Sequence, residues 1–260
     1  MSVELTIENG LAFIRLNRPE ALNALSFTIL SEIDSCVVRI EQAISQGQVR
    51  GLIITGAGDK AFCAGADITE LTGRSMSHEH EGARIGQAVF TRISNLKVVS
   101  VAVIQGYAFG GGLEMALACT FRVALPRAKM GLPEVKLGLI PGYGGTQRLP
   151  RLIGEGRALD IILSGRTVDA QEAERIGLVN KLIDDGNPVD VGKDFLAPYL
   201  KHGLAAVDFA RQAILRGMET TLSEGLRIER DLSTLAYRTE DAAEGMKAFV
   251  EKRPAQFKDR

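Results

Sequence analysis

Val98-Val99-Ser100-Val101-Ala102-Val103-Ile104 leads within two residues into Gly106-Tyr107-Ala108-Phe109-Gly110-Gly111-Gly112-Leu113-Glu114-Met115-Ala116-Leu117-Ala118. The first segment is too continuous and too β-branched to be anything but a buried strand. The second sets three consecutive glycines directly before an Ala/Leu/Met run of high helix propensity. Strand, glycine turn and helix in that order point to an α/β chain with mostly parallel pairing. The turn also carries chemical meaning. The first N–H groups of a helix lack an intrahelical acceptor, and with the positive dipole end they suit a developing negative oxygen. Glycines needed only for tight packing would explain the same residues.

The flanks extend the pattern. Val3, Leu5 and Ile7 alternate with polar neighbours, Asn9-Gly10 supplies a turn, and Leu11–Leu16 returns, which predicts a hairpin. Ile29, Ile33, Val37, Ile40 and Ile44 recur at three- and four-residue intervals and predict a helix over Phe27–Ala43. A short strand over Leu52–Ile54, a helix over Gly82–Ile93, and strands over Phe121–Ala124 and Leu178–Ile183 follow. Beyond residue 195 the signals are helical only, with Val207, Ala210, Ile214 and Met218 in one apolar stripe. We therefore expect an α/β core over 1–195 and a helical region over 196–260.

Composition narrows the function. The 260 residues include 45% hydrophobic and 24% charged side chains, an ordinary globular balance. Lys+Arg number 31 against 32 Asp+Glu, so the net charge of -1 advertises neither a nucleic-acid nor an anionic-membrane partner. Three cysteines match no metal spacing and suggest reduced thiols in a cytoplasmic location, and no signal peptide is evident. Glycine is in excess, and fourteen of the 28 fall within 51–75 and 101–150, at two strand-to-helix turns.

The first turn reads Ala61-Phe62-Cys63-Ala64-Gly65-Ala66-Asp67-Ile68-Thr69-Glu70, with Asp67 and Glu70 spaced as a helix start. No GK[ST] follows a glycine loop, no G-x-G-x-x-G sits at the strand–helix turn, and G-x-S-x-G is absent. His78, His80 and His202 lie in polar surroundings and are expected at the surface, and Cys63 is expected as a small buried hydrophobe. Two carboxylates stand out: Glu114 inside an apolar helix, and Glu134 after Pro133, ahead of Leu139-Ile140-Pro141-Gly142-Tyr143-Gly144-Gly145-Thr146-Gln147. A carboxylate on an apolar, glycine-lined turn is costly to bury unless it is used, and two of them can divide acid and base roles.

Taken with Arg18-Pro19-Glu20-Ala21-Leu22-Asn23-Ala24-Leu25, Phe249–Lys258 and the two glycine clusters, the chain resembles the enoyl-CoA hydratase/isomerase (crotonase) superfamily, specifically its short-chain enoyl-CoA hydratases. The resemblance implies a crotonase-like spiral core with a C-terminal helical trimerisation region, and a homotrimer or dimer of trimers. It assigns the oxyanion donors to Ala66 and Gly111 and the two catalytic carboxylates to Glu114 and Glu134. Glu134 would supply the proton to the α-carbon while Glu114 holds the water, with Gly142 nearby. Acyl-CoA binding falls to Ala21, Leu22, Ala24, Ala64, Ala66, Asp67, Ile68, Gly111, Pro133 and Gly142, with coenzyme A as part of the substrate and no metal or other cofactor. Many relatives carry Lys or Arg where Glu20 and Thr69 stand, which puts phosphate contacts from those two positions in doubt. Phe257 and Lys258 would reach a neighbour's coenzyme A site. The rival readings are a Δ3,Δ2-enoyl-CoA isomerase, which needs only one carboxylate, and a non-catalytic acyl-CoA- or RNA-binding scaffold.

Overall fold

The computed structural model describes residues 2–259; Met1 and Arg260, the outer ends of the two expected regions, lie outside the described residues. The strands are β1 (Val3–Glu8), β2 (Leu11–Leu16), β3 (Gly51–Gly56), β4 (Ala61–Cys63), β5 (Val99–Ile104), β6 (Tyr107–Phe109), β7 (Phe121–Ala124), β8 (Lys129–Gly131), β9 (Val168–Asp169) and β10 (Lys181–Leu182). The helices are α1 (Phe27–Ser45), α2 (Ile68–Leu71), α3 (Met76–Asn95), α4 (Gly111–Ala118), α5 (Gly145–Ile153), α6 (Glu155–Ser164), α7 (Ala170–Arg175), α8 (Pro188–Leu196), α9 (Leu204–Gly217), α10 (Leu222–Ala236) and α11 (Glu240–Val250). Two compact units result. One comprises the chain through Leu96 together with Ser100–Phe195, and the other Lys97–Val99 with the chain from Leu196 onward. Among the described residues no helix is long and apolar enough to cross a membrane.

The first unit holds two sheets. Six strands run in the order β1-β2-β3-β5-β7-β10 and four in the order β4-β6-β8-β9. The β1–β2 hairpin is antiparallel, turning at Asn9 and Gly10 with φ of 51° and 78°. Pairings β2–β3, β5–β7 and β7–β10 are parallel, as the α/β reading expects. Strands β3 and β5 are buried along their whole length, which explains their unbroken apolar sequence. Helix α1 lays Ile29, Leu30, Ile33, Val37 and Ile40 into the core, each worth about 1.5–3 kcal/mol when fully buried. Ser26 caps it by accepting from the Ile29 N–H.

Three features depart from the sequence reading. The second helix begins at Met76 rather than Gly82, because Ser75 accepts from the His78 N–H and starts a polar, exposed first half that has no apolar period. The strand expected over Leu178–Ile183 shrinks to Lys181–Leu182. Leu178 and Val179 both donate to the Ala173 carbonyl, so their N–H groups leave the ladder. The four-stranded sheet had no counterpart in the reading, since strands of two or three residues are too short to show a period of two.

In the second unit α9 and α10 meet at Gly217 and Gly225, where a Cβ on Gly225 would stand 3.4 Å from the Gly217 Cα. Most of the expected apolar stripe lies outward: Val207 is half-buried, but Ala210, Ile214 and Met218 are exposed, joined by Leu222, Leu226, Phe249 and Val250.

Candidate active site

Two glycine turns are pressed together. Gly65 adopts φ +110°, and a Cβ on it would stand 3.1 Å from the Phe109 carbonyl oxygen. Gly110 adopts φ +48°, and its Cβ would lie 3.8 Å from the Gly65 Cα and 2.9 Å from Glu134 Oε1. Positive φ and close approach both exclude side chains here. Gly112 lies against the Cys63 carbonyl, so tightly that a Cβ would collide with its oxygen.

The strand segment and the helix start each present an N–H group. Leu25 and Ala66 form a parallel bridge in which Leu25 donates to Gly65 O (2.8 Å) and accepts from Asp67 N (2.8 Å), so the Ala66 N–H turns to the other side. Gly111 opens α4, where the first N–H groups have no intrahelical acceptor. Neither N–H has a protein acceptor among the described residues.

Glu114, on the same first turn of α4, is 1% exposed. Its Oε1 accepts from Tyr143 N at 2.8 Å and Gly145 N at 2.7 Å. Burial pushes its carboxyl up to about 7, and the nearby Glu134 raises it too, against the two N–H bonds and Arg148. Glu134 starts a 3-10 turn, Glu134–Leu137, behind Pro133. Its Oε2 is buried without a hydrogen-bond partner, and burial raises its pKa. Repulsion between two carboxylates is mutual, so ionising one makes the other harder to ionise.

Stability follows with a definite sign. Glu114 binds its proton more tightly folded (about 7) than at the ordinary value of 4.5, so its ionisation removes stability as pH rises between those values. Glu114→Gln keeps the acceptor for Tyr143 and Gly145. Its melting temperature relative to wild type is expected to rise across that window, by the equivalent of up to about 3 kcal/mol. Melts at pH 5 and pH 8 check this, and a difference independent of pH contradicts it.

The loop 17–26 forms the third wall. Leu22 and Asn23 adopt φ of 52° and 58°, and a leucine there is strained. Asn23, 1% exposed, holds the loop by donating to Ala57 O (3.0 Å) and Ala61 O (2.9 Å) and accepting from Arg18 N (2.9 Å). Ala64 N donates to Leu22 O at 3.0 Å, joining the loop to the first glycine turn. Ala21 and Ala24 flank this pair, and Ala24 N donates to Ala21 O. Asp67 caps α2, accepts from Thr69 and Arg18, and has its pKa lowered chiefly by the Thr69 hydroxyl. Glu70 bonds Phe27 N at 2.8 Å instead, capping the neighbouring helix.

A fold in which two glycine turns meet beside Glu114 and Glu134 narrows the chain's relatives. The profile of the enoyl-CoA hydratase/isomerase family matches residues 6–260. The chain belongs to this family. A crotonyl-CoA hydratase of Syntrophomonas wolfei is 41% identical over 256 residues, 98% of this chain and 97% of that protein. A short-chain-enoyl-CoA hydratase of Clostridium acetobutylicum is 39% identical over 260 residues, 100% of this chain and 98% of that protein. The solved enoyl-CoA hydratase of Bacillus anthracis superposes with a TM-score of 0.94 at 36% identity, covering 100% of both chains. The expected crotonase-like α/β core is the fold of that solved enzyme.

On this family's frame the expected site residues fall into three groups. Ala64, Ala66, Asp67 and Gly111 sit at the joined glycine turns; Ala21, Leu22 and Ala24 sit on the loop bonded to them; Pro133 and Gly142 flank Glu134 and the Tyr143 N–H. A Cβ on Gly142 would meet nothing within 4 Å, so its α-carbon faces open space. Ile68 is largely exposed at the start of α2. His78, His80 and His202 are exposed, and Cys63 is fully buried with its thiol pushed up to about 12, as a structural cysteine.

The sequence reading missed Asn23 and Tyr143. An asparagine in an apolar Ala-Leu-Asn-Ala run is a signal for a buried, bonded amide. Tyr143 has no such signal. Its ring meets Gly111, stands edge-on to Phe90 at 5.8 Å, and packs against Gly86 of α3, where a Cβ would collide with the ring. Gly86→Ala should therefore push Tyr143 and its N–H away from Glu114. The expected cost is about 1–3 kcal/mol of stability with at least a tenfold drop in turnover, read by melting and kinetics. Unchanged kinetics contradict the contact's role.

Proposed function

We propose that this enoyl-CoA hydratase adds water reversibly and syn across a trans-2-enoyl-CoA to give the 3-hydroxyacyl-CoA. The carrying observation is the pair of carboxylates, Glu114 buried and held by two N–H bonds and Glu134 half-buried with an unpartnered oxygen, beside the joined glycine turns. The thioester oxygen accepts from Ala66 N–H and Gly111 N–H. Withdrawal of electrons toward that oxygen makes the β-carbon electrophilic, and the same donors stabilise the enolate that addition creates. Glu114, oriented through Oε1, uses its other oxygen to take a proton from the attacking water. Glu134, in its protonated form, gives its proton to the α-carbon. Water's oxygen and one proton's worth of hydrogen remain at the β-carbon, and the second proton returns from Glu114 to Glu134 to reset the pair. Coenzyme A enters as part of the substrate, bound along Ala21, Leu22, Ala24, Ala64, Asp67, Ile68 and Pro133, and the chemistry requires no metal or redox group.

Loss of the conjugated thioester absorbance of crotonyl-CoA on adding the wild-type protein tests the reading. A 3-enoyl-CoA consumed faster than crotonyl-CoA would favour the isomerase instead. The raised carboxyl of Glu114 gives the reaction an acid limb, rate rising with pH toward about 7, where the base becomes ionised.

Assembly and location complete the proposal. The exposed apolar residues Ile214, Met218, Leu222, Phe249 and Val250 support a homotrimer or dimer of trimers built through the C-terminal helices. In that assembly Phe257 and Lys258 approach a neighbour's coenzyme A. Asp241 fixes this tail by accepting from Lys258 N (2.6 Å) and Asp259 N (2.9 Å). The free thiols of Cys36, Cys63 and Cys119 support a cytoplasmic location.

A further inference from the structure

We propose that Arg148 is a positioning residue for hydration: it clamps the two walls that hold Glu114 and presents a positive charge to that carboxylate. The inference rests on the role given to Glu114 above.

The first wall is the bend that carries the Tyr143 and Gly145 N–H donors. Gly144 stands between them with φ +115° and ψ 3°. Arg148 N donates to Gly144 O at 2.8 Å, and the Arg148 side chain fills the space beside Gly144, where a Cβ would stand 3.2 Å from Nε and 3.6 Å from Cδ. The arginine stem is therefore packed against the bend whose shape aims both donors.

The second wall is α4, which carries Glu114 itself. Arg148 Nη1 donates to Ser94 Oγ at 2.7 Å, and Nη2 lies 3.5 Å from Thr91 Oγ1, both on α3. Ser94 Oγ in turn reaches Ala118 O at 3.0 Å and Phe90 O at 3.1 Å. Ala118 is the last residue of α4. One side chain thus links the donor bend, the C-terminal end of α3 and the far end of the helix that holds the base. Displacements of about 1 Å in such a constellation are enough to change rates by large factors.

Charge adds to the geometry. Charges that reach Glu114 include Glu134 on its 3-10 turn and Arg148 on α5. The Tyr143 phenol on the adjoining loop is pushed up to about 12 and stays neutral, as does the Cys63 thiol on β4. Arg122 on β7 is engaged at the other end of α4, donating to Cys119 O and Leu178 O. Arg148 is accordingly a cation that favours the ionised base, and its removal makes Glu114 harder to ionise.

The test compares pH profiles of kcat for crotonyl-CoA in wild type, Arg148→Met, Arg148→Lys, Ser94→Ala and Glu114→Gln, each checked for folding by circular dichroism. Arg148→Met is expected to lower kcat about tenfold and to move the acid limb upward by less than one pH unit. Arg148→Lys restores the limb but not the full rate, since an ammonium cannot both pack on Gly144 and reach Ser94. Ser94→Ala keeps the limb and lowers kcat about 3- to 10-fold. A folded Arg148→Met with an unmoved limb overturns the proposal. If Arg148→Met does not fold, unchanged kcat in both Arg148→Lys and Ser94→Ala overturns it. Retained activity in Glu114→Gln would overturn the hydratase role of that residue and this proposal together, whereas loss there with an unmoved Arg148→Met limb removes only the latter.

Discussion

Glu134→Gln is expected to lower kcat for crotonyl-CoA hydration by about 10³-fold while KM moves little. The amide matches the carboxyl in size and leaves the 3-10 turn and its Pro133 start in place. What it loses is the proton. Burial raises the Glu134 pKa, which favours the protonated carboxyl, and Oε2 has no protein partner. Without that proton, the enolate formed by addition has no acid to quench it and reverts. Steady-state kinetics at the conjugated thioester absorbance, with a melt to confirm folding, read the effect. Turnover within tenfold of wild type would remove Glu134 from the mechanism.

Gly112→Ala should be nearly as damaging for a different reason. Its Cβ would collide with the Cys63 carbonyl oxygen, and both parties are backbone, so no side chain can swing aside. Either α4 or β4 must shift. Gly111 is the preceding residue on one side, and Gly65-Ala66 follows Cys63 on the other, so any shift separates the two N–H donors. Removing one oxyanion donor from other enzymes costs about 10²–10³ in rate, and overpacking a core typically costs about 1–3 kcal/mol. We expect at least a hundredfold loss of kcat with a lowered melting temperature. Gly156→Ala is the control. It lies exposed in α6, its Cβ would meet nothing within 4 Å, and it should be neutral or slightly stabilising. Full activity in Gly112→Ala would show that the spacing of the turns does not set the rate.

The sequence made some of this legible and hid the rest for physical reasons. Val99–Ile104 and the Gly110–Gly112 turn were plain, because a doubly buried strand and a side-chain-free helix start leave contiguous marks. Glu114 stood out as the charged residue of an apolar helix. The contact of Gly65 with Gly110, the collision that Gly112 avoids, and the seat of Tyr143 on Gly86 join residues 45 to 57 positions apart. Such constraints write only a glycine into the sequence, which looks the same as any loop glycine. Arg148 reads as a surface charge on α5 until Gly144, Ser94 and Ala118 are seen around it. The β4-β6-β8-β9 sheet, which sets the two turns side by side, is built from strands too short to show a pattern.

The central claim is that the joined turns grip a thioester oxygen in front of two carboxylates. A crystal structure with acetoacetyl-CoA, a 3-oxoacyl thioester with no double bond to hydrate, tests it most directly. The account predicts the thioester oxygen about 2.7–3.1 Å from both the Ala66 and Gly111 nitrogens, with the Glu134 carboxyl facing the α-carbon and the Glu114 carboxylate facing the β-carbon. A thioester oxygen beyond hydrogen-bond reach of those nitrogens, or an acyl group bound away from the two glutamates, would contradict it.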